Sequence, residues 1–378
     1  MIALALLLQV SAATPLPYRD RTLPVESRVQ DLLSRMTPEE KFWQLYMTPG
    51  DLDDRTEDYS HGIYGLQIPP PRGETSAVAY ATKVNTIQRY FVEQTRLGIP
   101  IIPFDEGLHG LARPGAVSFP QAIAIAATWD PRMMSLAAGG IARQARRRNI
   151  RQLLSPVLNL ASDVRWGRTE ETYGEDPCLA GVLAETFWNE MAGMGVVPTP
   201  KHLVSNVGDG GRDRYPIEFN ERELRERFLP PIARLLRNAP LTSVMTAYNS
   251  VNGLPATQNP WLLTTLLRQE WKFRGVVISD AAATGGATVL QLTEPDTPTA
   301  AADAWRAGLD VVFQSTWAQH RPYREAIERG LVPMTVVDSA VAHVLRLKFA
   351  LGLFEQPYDS TWPLLLQEEE AQRRNARR

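Results

Sequence analysis

Apolar positions along this chain recur with two different periods. At residues 26–36, Val29, Leu32, Leu33 and Met36 share one face at helical spacing. Thr37-Pro38-Glu39-Glu40 follows: a capping Thr, a proline in the first turn and a Glu placed to bond back to the cap. The helical period returns at 76–97, 130–149, 179–194, 221–238, 260–270 and 335–351, with Gly98 and Gly352 as stops. Between these stretches lie seven short apolar runs, at 63–68, 99–104, 152–160, 196–204, 241–247, 276–278 and 309–313. Such runs read as strands buried on both faces, the form strands take in a parallel sheet. Alternating strand and helix predict an α/β fold with a parallel sheet. The number of units predicts a TIM-like (β/α)8 barrel in which one strand is irregular or missing from the pattern.

Polar residues gather where these runs stop. The run 99–104 ends in Asp105-Glu106-Gly107-Leu108-His109. The run 152–160 carries Asn159 and leads through Asp163-Val164-Arg165-Trp166-Gly167 to Arg168-Thr169-Glu170-Glu171. Lys201-His202 lies in the run 196–204, Tyr248-Asn249 ends 241–247, and Ser279-Asp280 ends 276–278. The carboxyl ends of barrel strands share one mouth, so five polar ends predict one site. Arg168 and Lys201 are cations, Asp105 and Asp280 are anions, and His202, Tyr248 and Asn249 donate and accept hydrogen bonds. That mixture suits the hydroxyls of a sugar. Trp129 and Trp166 offer flat faces for the apolar side of a pyranose. Nearby cations would keep Asp280 ionised, as a nucleophile for a glycosidic carbon must be. Plainer roles stand beside these. Asp280 reads equally as a cap for the loop or helix that follows. Lys201 or His202 would point outward under strand alternation. Trp129 reads as a staple at the helix entry Asp130-Pro131, and Trp166 as a spacer between two arginines.

Composition narrows the field. With 378 residues, 44% hydrophobic and 22% charged, the chain is ordinary globular protein. A net charge of −2 gives no reason to expect nucleic acid. Cys178 is the one cysteine, which rules out an internal disulfide, and it has no neighbouring His to activate it. There is no HExxH, CxxC or EF-hand pattern, so neither a metal nor another cofactor is expected. The glycine-rich stretch 207–211 lacks the phosphate-loop order and reads as a loop over the barrel mouth. Residues 1–13 are apolar, too short to span a bilayer, and end in small residues. They read as a signal peptide, although no Lys or Arg precedes the apolar core, and predict export to the periplasm or beyond.

Several segments together resemble the N-terminal barrel domain of glycoside hydrolase family 3, the retaining β-glucosidases and β-xylosidases. They are RVQDLLSRMTPEEK, FDEGLHG, FPQAIAIAATWDP, RWGRTEETYGEDP, KHLVSN, VMTAYNSVNGLPA, GVVISD and VLRLKFALGLFEQPY, in the family's order over residues 28–358. The resemblance implies a barrel domain at 14–358 and a β-linked oligosaccharide or glycoside as substrate. It implies that Asp280 is the catalytic nucleophile and that Asp105, Arg168, Lys201, His202 and Tyr248 hold the sugar in the first subsite. Met245 matches an apolar wall. Many members carry Trp directly after the nucleophile; here the residue is Ala281.

In the two-domain members an α/β sandwich follows the barrel and usually delivers the acid/base carboxylate. Residues 359–378 resemble a linker or the start of a truncated second domain, so the sandwich is expected to be absent. A single-domain branch, the β-N-acetylglucosaminidases, takes its acid from a His on the loop after Lys-His, but residues 203–213 hold none. Asp209, Asp213 and Glu218 are the substitutes nearby. The resulting expectation is a retaining β-glycosidase barrel that forms a glycosyl-enzyme on Asp280 and lacks its acid/base domain. The alternatives are a non-catalytic sugar-binding barrel and, from Lys201 at a strand end, a Schiff-base lyase.

Overall fold

Thr37 opens the helix Pro38–Gln44 as its sequence requires. Its hydroxyl accepts the Glu40 N–H at 3.2 Å, and the Glu40 carboxylate accepts the Thr37 N–H at 2.8 Å. Asp130, Asp176 and Asp296 cap Pro131–Arg146, Pro177–Gly193 and Thr297–Ala307, each side chain accepting one first-turn N–H, and each helix has a proline in its first turn. The computed structural model describes residues 16–73, 75–207, 216–238 and 243–358. The expected signal peptide, Asp209 and Asp213 on their loop, and the tail 359–378 lie outside the described residues.

Eight short strands of this α/β protein pair in parallel, in small sheets: β1 (Tyr46–Pro49), β2 (Gly65–Gln67), β3 (Phe104–Asp105), β4 (Gln152–Leu153), β5 (Val197–Pro198), β6 (Ser243–Met245), β9 (Val276–Ile278) and β10 (Val312–Phe313). Between β6 and β9 the antiparallel hairpin β7 (Ser250–Val251) and β8 (Leu254–Pro255) turns at Asn252-Gly253, both with positive φ. β10, β1 and β2 pair in that order, as do β3, β4 and β5, and β6 pairs with β9. Further hydrogen bonds run between these groups. The Ile102 N–H donates to the Tyr64 carbonyl, beside β3 and β2. Met245 N–H of β6 donates to the Pro200 carbonyl just past β5. Ser279 N–H, just past β9, donates to the Val311 carbonyl just before β10.

The expected long strands at 152–160 and 196–204 are two-residue ladders instead. Pro156, Pro198 and Pro200 have no N–H to give, and past Leu153 and Pro198 the pairing between these two runs continues only as the isolated bridge of Val157 and Lys201. The strand that the pattern did not mark is β1, which follows Pro38–Gln44 with only Leu45 between. Close approach is built in at Gly65, where a Cβ would run into the Ile102 carbonyl oxygen. Helices and strands enclose a continuous apolar core, and the helix Val25–Arg35 lies on Met334–Ala350, bringing both ends of the described chain together. No helix among the described residues is long and apolar enough to cross a membrane.

Candidate active site

Asp280 stands two residues past the end of β9 and is 8% exposed. The chain then reverses through Ala282, held at φ +61° with its N–H on the Phe313 carbonyl at 2.9 Å. That turn brings the Ala281 N–H onto Asp280 Oδ1 at 2.7 Å, and Oδ2 lies 3.2 Å from Nε2 of His202. Burial works to raise the Asp280 pKa. The contact and charge of His202, the charge of Lys201 and the Ala281 N–H outweigh it and hold the carboxyl below its ordinary value.

His202 and Lys201 are consecutive, yet both side chains serve this region, because the regular ladder of β5 has ended at Pro198. His202 is buried, and its backbone N–H and its Nδ1 both lie 2.8 Å from Asn159 Oδ1. Burial, with the charges of Arg168 and Lys201, pushes its pKa down, and Asp280 pulls against them. Lys201 is buried too and meets both oxygens of the Glu106 carboxylate, at 3.0 and 2.9 Å. Burial pushes the Glu106 pKa up, Lys201 opposes it, and the neighbouring charges of Asp280 and Asp105 add to the rise.

Arg168 grips Glu171 with a two-pronged bond, Nε to Oε1 at 2.7 Å and Nη2 to Oε2 at 2.8 Å. Burial works to raise the Glu171 pKa, and the Arg168 bond and charge outweigh it, leaving it lowered. The Arg168 guanidinium lies 5.5 Å from the ring centre of Trp166. Trp166 is 1% exposed, edge-on to His202 at 6.4 Å, so it backs the site and leaves no open platform for a pyranose. Trp129 is 69% exposed at the entry to Pro131–Arg146.

The remaining residues singled out from the sequence fall around this group. Met245 is fully buried at the end of β6, in register with Ile278 of β9. Tyr248 is half-buried, and its carbonyl accepts from Gln291 Nε2 at 2.8 Å, a bond to the segment that follows Asp280. Asp105 has different partners. It is fully buried, 2.5 Å from Nε of Arg113, with Gln67 Nε2 donating at 3.0 Å. Burial pushes its pKa up to about 6, and Arg113 opposes the rise. The side chain from this strand end that reaches Lys201 is therefore Glu106. Sequence reading passed over Glu106, Asn159 and Glu171 as site residues. Their one signal was position: Glu106 stands directly past β3, and Asn159 and Glu171 lie on the stretch that follows β4.

Next to the loop that carries Arg168 lies a cleft of about 440 Å³, lined among others by Asp163, Arg165, Val207, Glu218, Phe219 and Phe228. Glu218 is exposed there. Among the described residues no group of His, Cys, Asp and Glu is arranged to hold a metal ion. What the site offers is an ionised carboxylate whose Oδ1 accepts the Ala281 N–H and whose Oδ2 faces His202, inside a shell of paired charges. Such a carboxylate can attack an electrophilic carbon.

Comparison with known proteins gives concordant results. Residues 39–347 match the model of the glycosyl hydrolase family 3 N terminal domain. A β-glucosidase of Rhizobium radiobacter is 33% identical over 272 residues, covering 70% of this chain and 32% of that protein. A β-xylosidase of Formosa agariphila is 32% identical over 287 residues, covering 69% of this chain and 39% of the relative. The crystal structure of a Listeria innocua β-glucosidase in complex with glucose superposes with a TM-score of 0.75 at 28% identity, over 88% of this chain and 48% of that one. The chain thus spans from about a third to about half of the length of these relatives.

Proposed function

The chain belongs to glycosyl hydrolase family 3, and on that premise we propose that it is a retaining β-glycosidase acting on terminal β-linked glucosyl or xylosyl units. Asp280 attacks the anomeric carbon. The carbon–oxygen bond to the aglycone breaks with its electron pair leaving on oxygen, and a glycosyl ester forms on the carboxylate. Water then cleaves that ester from the face the aglycone left, so two inversions give net retention. The observation that carries this reading is the environment of Asp280: a buried carboxylate at a strand end, held ionised, with His202 and Lys201 beside it. The β-glucosidase and β-xylosidase among its relatives support the substrate class.

The same reading gives the other residues work. Lys201, Glu106, His202, Arg168 and Tyr248 hold sugar hydroxyls, Met245 closes an apolar side, and Asp105 stiffens the strand end through Arg113. The eight parallel strands close into a (β/α)8-type barrel. The hydrogen bonds from β2 to β3, β5 to β6 and β9 to β10 support that closure. The carboxylates whose charges reach this group, Glu106 and Glu171, are each tied to a cation, so the acid that protonates the leaving group is proposed to be neither. The apolar residues 1–13 take the chain out of the cytoplasm in this account.

Stereochemistry tests the proposal. With a dinitrophenyl β-glycoside, whose leaving group departs unprotonated, proton NMR is expected to record the β-anomer of the free sugar first, mutarotating later. The α-anomer as first product would overturn a nucleophilic Asp280.

A further inference from the structure

Resting on the reading of Asp280 as the nucleophile, we propose that Asn159 is a positioning residue that fixes the ring tautomer of His202. It thereby leaves one exchangeable ring position, Nε2, turned toward Asp280. The argument starts from a donor whose identity is certain. The backbone N–H of His202 can only donate, and it lies 2.8 Å from one terminal atom of the Asn159 amide, so that atom is the carbonyl oxygen. The same oxygen lies 2.8 Å from Nδ1 of the His202 ring. An amide oxygen offers only lone pairs, so Nδ1 carries a hydrogen whether the ring is neutral or charged. The other end of the amide is pinned as well: Asn159 Nδ2 donates to Asn206 Oδ1 at 2.9 Å. Asn159, Asn206 and His202 are all buried, and no water competes for these bonds in the way it does at a surface.

It follows that His202 gains and loses its proton at Nε2. That atom is 3.2 Å from Asp280 Oδ2, is buried, and makes no aligned hydrogen bond here. Protonated, it donates to Asp280 or to a sugar hydroxyl; unprotonated, it accepts from the hydroxyl. The charged groups around the ring are Asp280, Lys201, Arg168 and Glu171, and the edge-on neighbour is Trp166. An amide sets the tautomer without adding a further charge to this set. A carboxylate at 159 would set it too, but would add an anion that holds the ring protonated to higher pH.

The test reads the ring itself, on the full chain with no glycoside present. Nitrogen-15 NMR of labelled histidine follows five rings through a pH titration, and His202 is identified by the signals that His202→Gln removes. The wild-type ring is expected to keep Nδ1–H throughout while Nε2 titrates. Asn159→Asp is expected to keep that pattern with the titration moved to higher pH. Asn159→Leu is expected to lose it, the neutral ring moving to Nε2–H, the tautomer that a histidine side chain prefers in water and that can donate to Asp280. A wild-type neutral ring with its hydrogen on Nε2, or an Asn159→Leu ring unchanged from wild type, would overturn the proposal. If Asn159→Leu does not fold, the wild-type and Asn159→Asp titrations decide. Failure of every glycoside to react at Asp280 would sink the nucleophile reading and leave the tautomer result standing, so the two are separable.

Discussion

Lys201 and Glu106 meet through both carboxylate oxygens, and the pair lies within electrostatic reach of Asp280. Removing the cation therefore acts twice. Lys201→Met leaves Glu106 without its partner and takes away one of the charges that hold Asp280 ionised. Breaking a buried pair from one side costs ~3–5 kcal/mol, but the Glu106 side chain is 37% exposed and water recovers part of the loss. The expected destabilisation is about 2 kcal/mol, read from the denaturant midpoint. Because the Asp280 pKa is depressed in part by Lys201, it rises in the variant, and the acid limb of the rate profile moves to higher pH. An unmoved limb would remove Lys201 from the electrostatics of the site. At this scale the sequence marked the polar strand ends whose side chains the structure brings near Asp280, but not which of two adjacent carboxylates turns toward Lys201. Asp105 and Glu106 are equally polar and consecutive, and the strand there is too short for alternation to separate them. The partner that decides is Lys201, 95 residues away.

Between elements, Asp310 ties three parts of the frame that carries Asp280. Its Oδ2 accepts from Arg268 at 2.6 Å and from the Val277 N–H of β9 at 2.7 Å, and Oδ1 faces His343 Nδ1 at 2.8 Å. Burial raises its pKa, and Arg268 and His343 outweigh that and leave it below the ordinary carboxylate value. A depressed folded-state pKa means stability present above the unfolded value, ~3.9, and lost as pH falls through the folded value. Asp310→Asn is expected to cost about 3 kcal/mol at neutral pH and to flatten the fall of stability below about pH 4. A variant with the wild-type acid dependence would show that Asp310 carries none of it. The helices that the sequence marked best have local signals, as Thr37 and Glu40 do. Thr297–Ala307 went unmarked because its alanine-rich stretch gives little contrast between faces, and Arg321–Glu328 because eight residues hold little more than two turns. β1 was hidden for another reason: Phe42 to Met47 is apolar at every position but Gln44, and only its pairing with β2 and β10 divides helix from strand.

For the whole molecule, the two ends of the described chain are joined. The helix Val25–Arg35 lies on Met334–Ala350, and Arg28 pairs with Glu355 at 2.7 Å. The site assembled on this frame supplies an ionised carboxylate, the proposed nucleophile, within paired charges, and its neighbouring carboxylates Glu106 and Glu171 are engaged with cations. General acid assistance contributes typically ~10²–10⁴-fold, so a substrate whose leaving group needs no proton isolates the step assigned to Asp280. The direct measurement is mass spectrometry of the chain after reaction with a dinitrophenyl 2-deoxy-2-fluoro-β-glucoside, whose fluorine slows release of the glycosyl ester. The account predicts a mass gain of one fluoroglycosyl group, located by peptide mapping on Asp280 and absent from Asp280→Asn. No adduct on the folded chain, or an adduct on another residue, would contradict it.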